Sequence, residues 1–227
     1  MQQTLALDVY GTLIDTSGVL QLLRQFLGDQ AIPFSDLWRN KQLEYSFRRG
    51  LMNRRVDFSV VTQEALAFCC KALQQELSDK QRKQLMEQYR QLPAFEDTPP
   101  ALHALKAAGH RLFAFSNGSR EAVATLLDHA EITAYFDGIV SMEEVNTFKP
   151  NPIGYAHFVQ QTGASKATAW LISGNTFDVI GALSYGMQGV WLQRNPKAVF
   201  DPMGFEPTLT LNSLTELAPA LTDRYTA

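Results

Sequence analysis

An aspartate closing an apolar run is the first residue of this chain that could do chemistry: Thr4-Leu5-Ala6-Leu7 leads to Asp8, and Tyr10-Gly11-Thr12 follows. An aspartate side chain with an ordinary pKa of about 3.9 is ionised at neutral pH. It can attack carbon or phosphorus without a general base, given an orienting environment and an electrophile held close. Other polar residues recur in the same way, each after its own apolar stretch: Ser116 and Asn117, Lys149, and Ser173, Asn175 and Asp178. Lys149 could keep Asp8 ionised and stabilise charge that develops later. Thr12 is placed to hydrogen-bond the carboxylate. Ser116, Asn117 and the backbone N–H groups that open the next helix make an anion cradle. Taken singly, each has an ordinary meaning: a loop cap, a turn, a solvated lysine at a Lys-Pro helix start. Their joint occurrence in order carries the functional reading.

The elements that must position these residues alternate in type. Thr4 to Leu7 reads as a buried strand opening into a loop. From Ala101 onward, helices of roughly ten residues alternate with short strands. The helices are Ala101 to Ala108, Glu121 to Ala130, Ile153 to Gln161 and Val179 to Tyr185. The strands are Arg111 to Phe115, Gly138 to Ser141, Ala169 to Ile172 and Val190 to Leu192, with Leu209 to Leu211 as an edge. That alternation predicts an α/β fold with a mostly parallel sheet and helices on both faces. Ligands bind beyond the carboxyl ends of such strands, where four separate loops deliver the residues above.

Between Thr16 and Pro93 the pattern is almost wholly helical. Ser35 is expected to cap Asp36 to Arg49, Asp57 to cap Phe58 to Leu73, and Ser78 with Gln81 to form a capping box for a helix reaching Gln91. The chain therefore divides into a core (residues 1–15 and 94–227) and a helical cap (residues 16–93). Leaving just after the first loop, the cap can fold over the site and exclude water.

Composition narrows the class. The 227 residues are 45% hydrophobic and 19% charged with a formal net charge of -3, so there is no basic footprint for nucleic acid or an anionic membrane. No apolar run approaches the length of a membrane span, and a cytoplasmic location is expected. Cys69 and Cys70 are adjacent in an apolar stretch, which reads as buried reduced thiols without metal-ligand spacing.

Asp8-Val9-Tyr10-Gly11-Thr12-Leu13, Ser116-Asn117-Gly118, Lys149-Pro150 and Ser173-Gly174-Asn175-Thr176-Phe177-Asp178 resemble the four ordered motifs of the haloacid-dehalogenase superfamily. The similarity covers nearly the whole chain and is greatest to the L-2-haloacid dehalogenase branch (type II). Leu37-Trp38-Arg39-Asn40-Lys41-Gln42-Leu43-Glu44-Tyr45 resembles the arginine-bearing cap helix of that branch. The resemblance implies a Rossmann-like core with a small helical cap after the first strand, a 2-haloacid substrate, no cofactor and no metal. Related enzymes are often dimers through cap helices, so a homodimer is implied by analogy alone.

Residue by residue, Asp8 would attack C2 of a short L-2-haloacid and expel halide toward Arg39 and Asn117. Ser116 and backbone amides would hold the substrate carboxylate, and Tyr10, Leu43, Phe58 and Phe177 would wall the alkyl side. Water would then attack the Asp8 ester, oriented by Lys149, Ser173, Asn175 and Asp178, releasing a D-2-hydroxy acid. Tyr155 would orient Arg39 or Lys149, or would merely pack between helices. The superfamily's phosphatases carry Asp-x-Asp in the first motif and acidic Mg²⁺ ligands in the fourth. Here Tyr10 and Asn175 stand in those places, a poor set for a hard dication. A hydrolase acting on a phosphate ester, and a silent fold used for binding, remain the alternatives. Phe177 in place of tryptophan, Asn40 in place of glutamine and Gly174 in place of serine depart from the branch.

Overall fold

The computed structural model of the protein describes residues 1–226. Its centre is a six-stranded parallel sheet in the order β3-β2-β1-β4-β5-β6. The strands are β1 (Thr4–Asp8), β2 (Arg111–Ser116), β3 (Gly138–Ser141), β4 (Ala169–Ser173), β5 (Gln188–Leu192) and β6 (Leu209–Leu211). Strands β1 and β4 are buried along their whole length, as expected where helices cover both faces of a parallel sheet. Side chains alternate between the two faces. Leu5, Leu7, Leu112, Ala114, Trp170 and Ile172 enter one core cluster, while Ala6, Phe113, Phe115 and Leu171 enter the other. Each large apolar side chain so buried contributes about 1.5–3 kcal/mol.

The helices that follow the sheet are α5 (Thr98–Ala107), α6 (Arg120–His129), α7 (Pro152–Thr162), α8 (Thr176–Tyr185) and α9 (Leu217–Thr226). Helix α5 begins three residues earlier than its periodicity suggests, because Pro99 and Pro100 occupy its first turn, where proline lacks no needed N–H. Strand order reverses beside β1, which lies between β2 and β4. A crevice opens beyond the strand ends at such a switch point.

Four helices intervene between β1 and α5: α1 (Ser17–Leu27), α2 (Ala31–Leu51), α3 (Phe58–Ala72) and α4 (Asp79–Gln88). Asp57 caps α3 by accepting from the Ser59 N–H, and Ser78 and Gln81 form the expected capping box on α4. Ser35 is not a cap. It lies inside α2, which starts at Ala31 and tolerates Pro33 in its first turn. The helical segment leaves and rejoins the sheet layer at one place, where Asp15 N–H donates to the Pro93 carbonyl and Phe95 N–H to the Leu13 carbonyl. No helix among the described residues is long and apolar enough to cross a membrane.

Candidate active site

Asp8 ends the central strand, and the register of its neighbours decides what meets it. Asp8 pairs with Phe115 on β2, and Leu7 with Ile172 on β4, so Ser116 and Ser173 flank it at the same edge. The two carboxylate oxygens are treated differently. Oδ2 accepts from Thr12 Oγ1, Ser173 Oγ and Asn175 Nδ2, each at 2.8 Å. Oδ1 accepts from Lys149 Nζ at 3.0 Å. Hydrogen bonds to a charged acceptor contribute about 1.5–3 kcal/mol each, enough to fix the carboxylate in one rotamer.

The donors are themselves held. Thr12 Oγ1 accepts from Gly174 N–H, and Ser173 Oγ accepts from Asn175 N–H. Both hydroxyl protons are thereby committed to Asp8. Asn175 occupies the N-cap position of α8, yet its side chain makes no cap bond. It donates instead to Asp8 and accepts from Arg39 Nη2 at 2.9 Å. A Cβ at position 174 would stand 2.5 Å from the Gly11 carbonyl oxygen. Glycine there has a steric reason: the first and fourth loops touch backbone to backbone.

Lys149 is 2% exposed and sits between two buried carboxylates, 3.0 Å from Asp8 Oδ1 and 2.6 Å from Asp178 Oδ2. Burial opposes the charge on Asp8, but Lys149 beside it, with the Thr12 and Ser173 hydroxyls, outweighs this and holds its pKa below the ordinary value. Burial likewise opposes the Lys149 ammonium, and Asp178 and Asp8 together raise its pKa nonetheless. Asp178 is different. Burial pushes it up to about 6, with Lys149 pulling down and the Asp8 charge pushing up. Tyr155 Oη donates to Asp178 Oδ1 at 2.8 Å. Tyr155 is fully buried and so stands below the site as a support for Asp178. It makes no hydrogen bond to Arg39 or Lys149 directly, is not among the residues lining the cavity, and reaches Lys149 only through Asp178.

A cavity of about 710 Å³ opens between the helical segment and the loops at the sheet edge, reaching Tyr10 and Asn175 beside Asp8, while Asp8, Ser116, Asn117 and Lys149 are not among its lining residues. Tyr10, Arg39, Phe58 and Asn175 line it. Arg39 comes from α2 and is braced by Gln42, whose Oε1 accepts from Nη1 at 2.8 Å. Gln42 in turn donates to Thr62 Oγ1 on α3. Leu43 and Phe177 are not among the described residues that line the cavity, and Phe177 sets its ring edge-on to Phe47. Ser116 is 2% exposed, and its Oγ accepts from Gly118 N–H. Asn117 Oδ1 accepts from the Lys149 backbone N–H, tying the second loop to the third.

A hard dication fits this donor set badly. The Lys149 ammonium stands between Asp8 and Asp178, and the Asn175 amide donates a proton where a metal ligand would offer an oxygen lone pair.

Loops at four strand ends converge on one buried aspartate, and a sequence model of the haloacid dehalogenase-like hydrolases matches residues 2–186. The chain belongs to this family. This haloacid dehalogenase-like hydrolase is 35% identical over 216 residues to an (S)-2-haloacid dehalogenase of Pseudomonas putida, a match covering 95% of each chain. It superposes on the L-2-haloacid dehalogenase of Xanthobacter autotrophicus with a TM-score of 0.88 at 27% identity, covering 98% of this chain and 99% of the other. The same Xanthobacter enzyme with chloropropionic acid covalently bound gives a TM-score of 0.87 at 27% identity, with the same coverage.

Three residues of this hydrolase's site escaped the sequence reading. Gln42 lies three positions after Arg39 on one helix, a spacing that places side chains together, and could have been noticed. Thr62 braces Gln42 from another helix, a pairing without a local signal. Tyr89 lines the cavity from just beyond α4, where the sequence carries only a lone aromatic.

Proposed function

We propose that the protein hydrolyses the carbon–halogen bond of short L-2-haloalkanoic acids, giving D-2-hydroxy acids through a covalent ester of Asp8, without a metal. The observation that carries this reading is the asymmetry of the Asp8 carboxylate. Three donors occupy Oδ2, whereas Oδ1 has Lys149 alone. Oδ1 therefore keeps a lone pair for attack on C2, from which halide departs with the bonding pair on the opposite side. Inversion at C2 follows. Arg39 and Asn117 receive the halide in this reading, and Ser116 with nearby backbone amides orients the substrate carboxylate. Tyr10, Leu43, Phe58 and Phe177 bound the alkyl side in this reading, and of these Tyr10 and Phe58 line the cavity.

Once the ester forms, Oδ2 is its carbonyl oxygen. The donors that oriented the nucleophile then surround the oxygen that becomes negative when water adds to Cγ, an oxyanion hole already assembled. Asp178, with a pKa of about 6, takes the proton of that water. The bond between Cγ and the substrate-derived carbon's oxygen breaks, and Lys149 beside Oδ1 protonates the departing alkoxide. The free Asp8 acid returns a proton to Lys149, and Asp178 releases its proton to solvent.

The same reading assigns residues 16–93 to a cap and residues 1–15 and 94–227 to the core, supported by the paired chain crossings at Leu13–Asp15 and Pro93–Phe95. It also carries a cytoplasmic location, in keeping with the free, buried Cys69 and Cys70, and a homodimer by analogy with related enzymes. The test is halide release from (S)-2-chloropropionate, chloroacetate and fluoroacetate beside a panel of phosphate esters. Halide release from the chloro acids with no phosphate release is expected. Phosphate release without halide release would refute the reading.

A further inference from the structure

Tyr89 is held where a reacting group would be useful, and nothing in the protein uses its hydroxyl. Its ring meets Trp38 edge-on, with centroids 5.5 Å apart at 87°, and meets Tyr10 at 6.2 Å and 64°. Contacts of this kind fix the plane of an aromatic ring. Trp38 is in turn anchored by its indole N–H, which donates to the Thr62 carbonyl. The ring so fixed lines the cavity together with Arg39, Gln42, Tyr10 and Asn175.

The fully buried Tyr155 hydroxyl is satisfied by Asp178, whereas Tyr89 is half-buried at the cavity wall. No hydrogen bond forms to the Tyr89 hydroxyl among the described residues. Burial pushes this phenol up to about 12, with the charge of Arg39 pulling the other way. At neutral pH it is therefore a donor with a proton to offer. Arg39 spends two of its N–H groups on neutral amide oxygens, those of Gln42 and Asn175. Its charge is left facing the cavity without a carboxylate bonded to it. A cation and an unpaired O–H donor on one wall are complementary to an anion.

We propose that Tyr89 is a substrate-contacting residue whose phenol O–H, beside Arg39, hydrogen-bonds the leaving halogen and then the released halide. The proton stays on Tyr89 throughout: the halogen leaves C2 with the bonding pair, and the phenol solvates the charge that results. This rests on the dehalogenase reading and adds to it a donor from the far end of the helical segment.

The test replaces Tyr89 by phenylalanine, which keeps the ring and its contacts with Trp38 and Tyr10. Bromide binding to the substrate-free wild type and to Tyr89→Phe is measured by calorimetry, with near-ultraviolet dichroism reporting the packing of Trp38. Then kcat and KM are measured for (S)-2-chloro-, 2-bromo- and 2-iodopropionate. Bromide affinity should fall about tenfold, and kcat should fall more for the chloro acid than for the iodo acid, since chloride is the stronger acceptor. Unchanged bromide affinity with an equal effect on all three halogens would overturn the proposal and leave Tyr89 as an apolar wall. If Tyr89→Phe does not fold, Tyr89→His, which keeps a ring and a donor, should retain bromide binding, and its loss of binding while folded would overturn the proposal. Bromide binding that depends on Tyr89, in a protein that releases halide from no 2-haloacid, would support the anion contact and refute the dehalogenase reading alone.

Discussion

The sheet side of the site and the helical side are built on opposite plans. At the sheet edge, Asp8 is held by Thr12, Ser173, Asn175 and Lys149, and each hydroxyl among them is itself fixed by a backbone N–H. On the helical side, Phe58 and Tyr89 present rings with few polar ties, and Arg39 reaches the sheet side through Asn175. Bond making needs groups held to a few tenths of an ångström, which parallel strands in register supply. Accepting and releasing a small acid needs a wall that can separate from that edge. The contrast places transformation on the sheet and selection on the helices, and it can be broken experimentally.

The largest effect should come from the sheet side. Asp8→Asn replaces the proposed nucleophile with a neutral amide and should lower turnover by about 10⁴-fold or more, as when a catalytic unit loses a member. Wild-type enzyme in excess over substrate in H₂¹⁸O should give largely unlabelled hydroxy acid in a single turnover, with ¹⁸O in Asp8. Labelled product from that first turnover would mean that Asp8 only activates water, and the division of labour would fall.

Arg39→Lys, on the helical side, should lower kcat by about 10²-fold, because an ammonium cannot reproduce the planar array of donors. Its thermal unfolding should stay close to that of the wild type, since Arg39 is only half-buried and bonded to neutral amides. Wild-type turnover would remove Arg39 from the site.

A smaller and graded effect is expected below the sheet edge. The Tyr155 hydroxyl favours the ionised form of Asp178. Tyr155→Phe should therefore raise the Asp178 midpoint above about 6, whereas Asp8→Asn, which removes a like charge, should lower it. Carboxyl ¹³C resonances followed against pH read both shifts. Stability carries the matching sign: because the folded midpoint of about 6 lies above the value of 3.8 for a free aspartate, the contribution of Asp178 is greatest below the latter and is lost as pH rises through the former. Equal midpoints in all three proteins would show that the support under Asp178 is mere packing.

The smallest effect should come from metal removal. Excess EDTA should leave kcat unchanged, and a strict Mg²⁺ requirement would contradict the donor set described here.

Much of the sheet was legible in the sequence because buried parallel strands are short apolar runs that stop at polar residues. Gly138–Ser141 is bounded as its pattern suggests, and β4 extends one residue beyond it. The start of α2 was not legible, since Ser35 and Asp36 imitate a helix beginning while Ala31 to Phe34 already continue the turn. Asp8, Lys149 and Asp178 could be singled out because each closes or follows an apolar run. Their mutual distances could not. The part of Tyr155 was hidden for the same reason: its partner lies 23 residues away, and only the packing of α7 against α8 brings them together. Gly174 reads in the sequence only as a departure from the serine of the branch, and in the fold it is a point of backbone contact with Gly11.

Asn175 accepts a hydrogen bond from Arg39 with its carbonyl and donates one to Asp8 with its amide. One planar group thus spans the two halves of the site, and turning it over to satisfy one side would place the wrong atom against the other. The hold of Arg39 on the sheet edge and the alignment of Asp8 are in consequence coupled through one side chain. By reciprocity, whatever draws Arg39 down also stiffens Asp8, and whatever neutralises Asp8 loosens the grip on Arg39. In the proposed mechanism, ester formation removes the charge that Asn175 serves. On the proposed mechanism the tie from Asn175 to Arg39 is therefore weakest once the ester has formed, when the expelled ion departs and a water molecule enters.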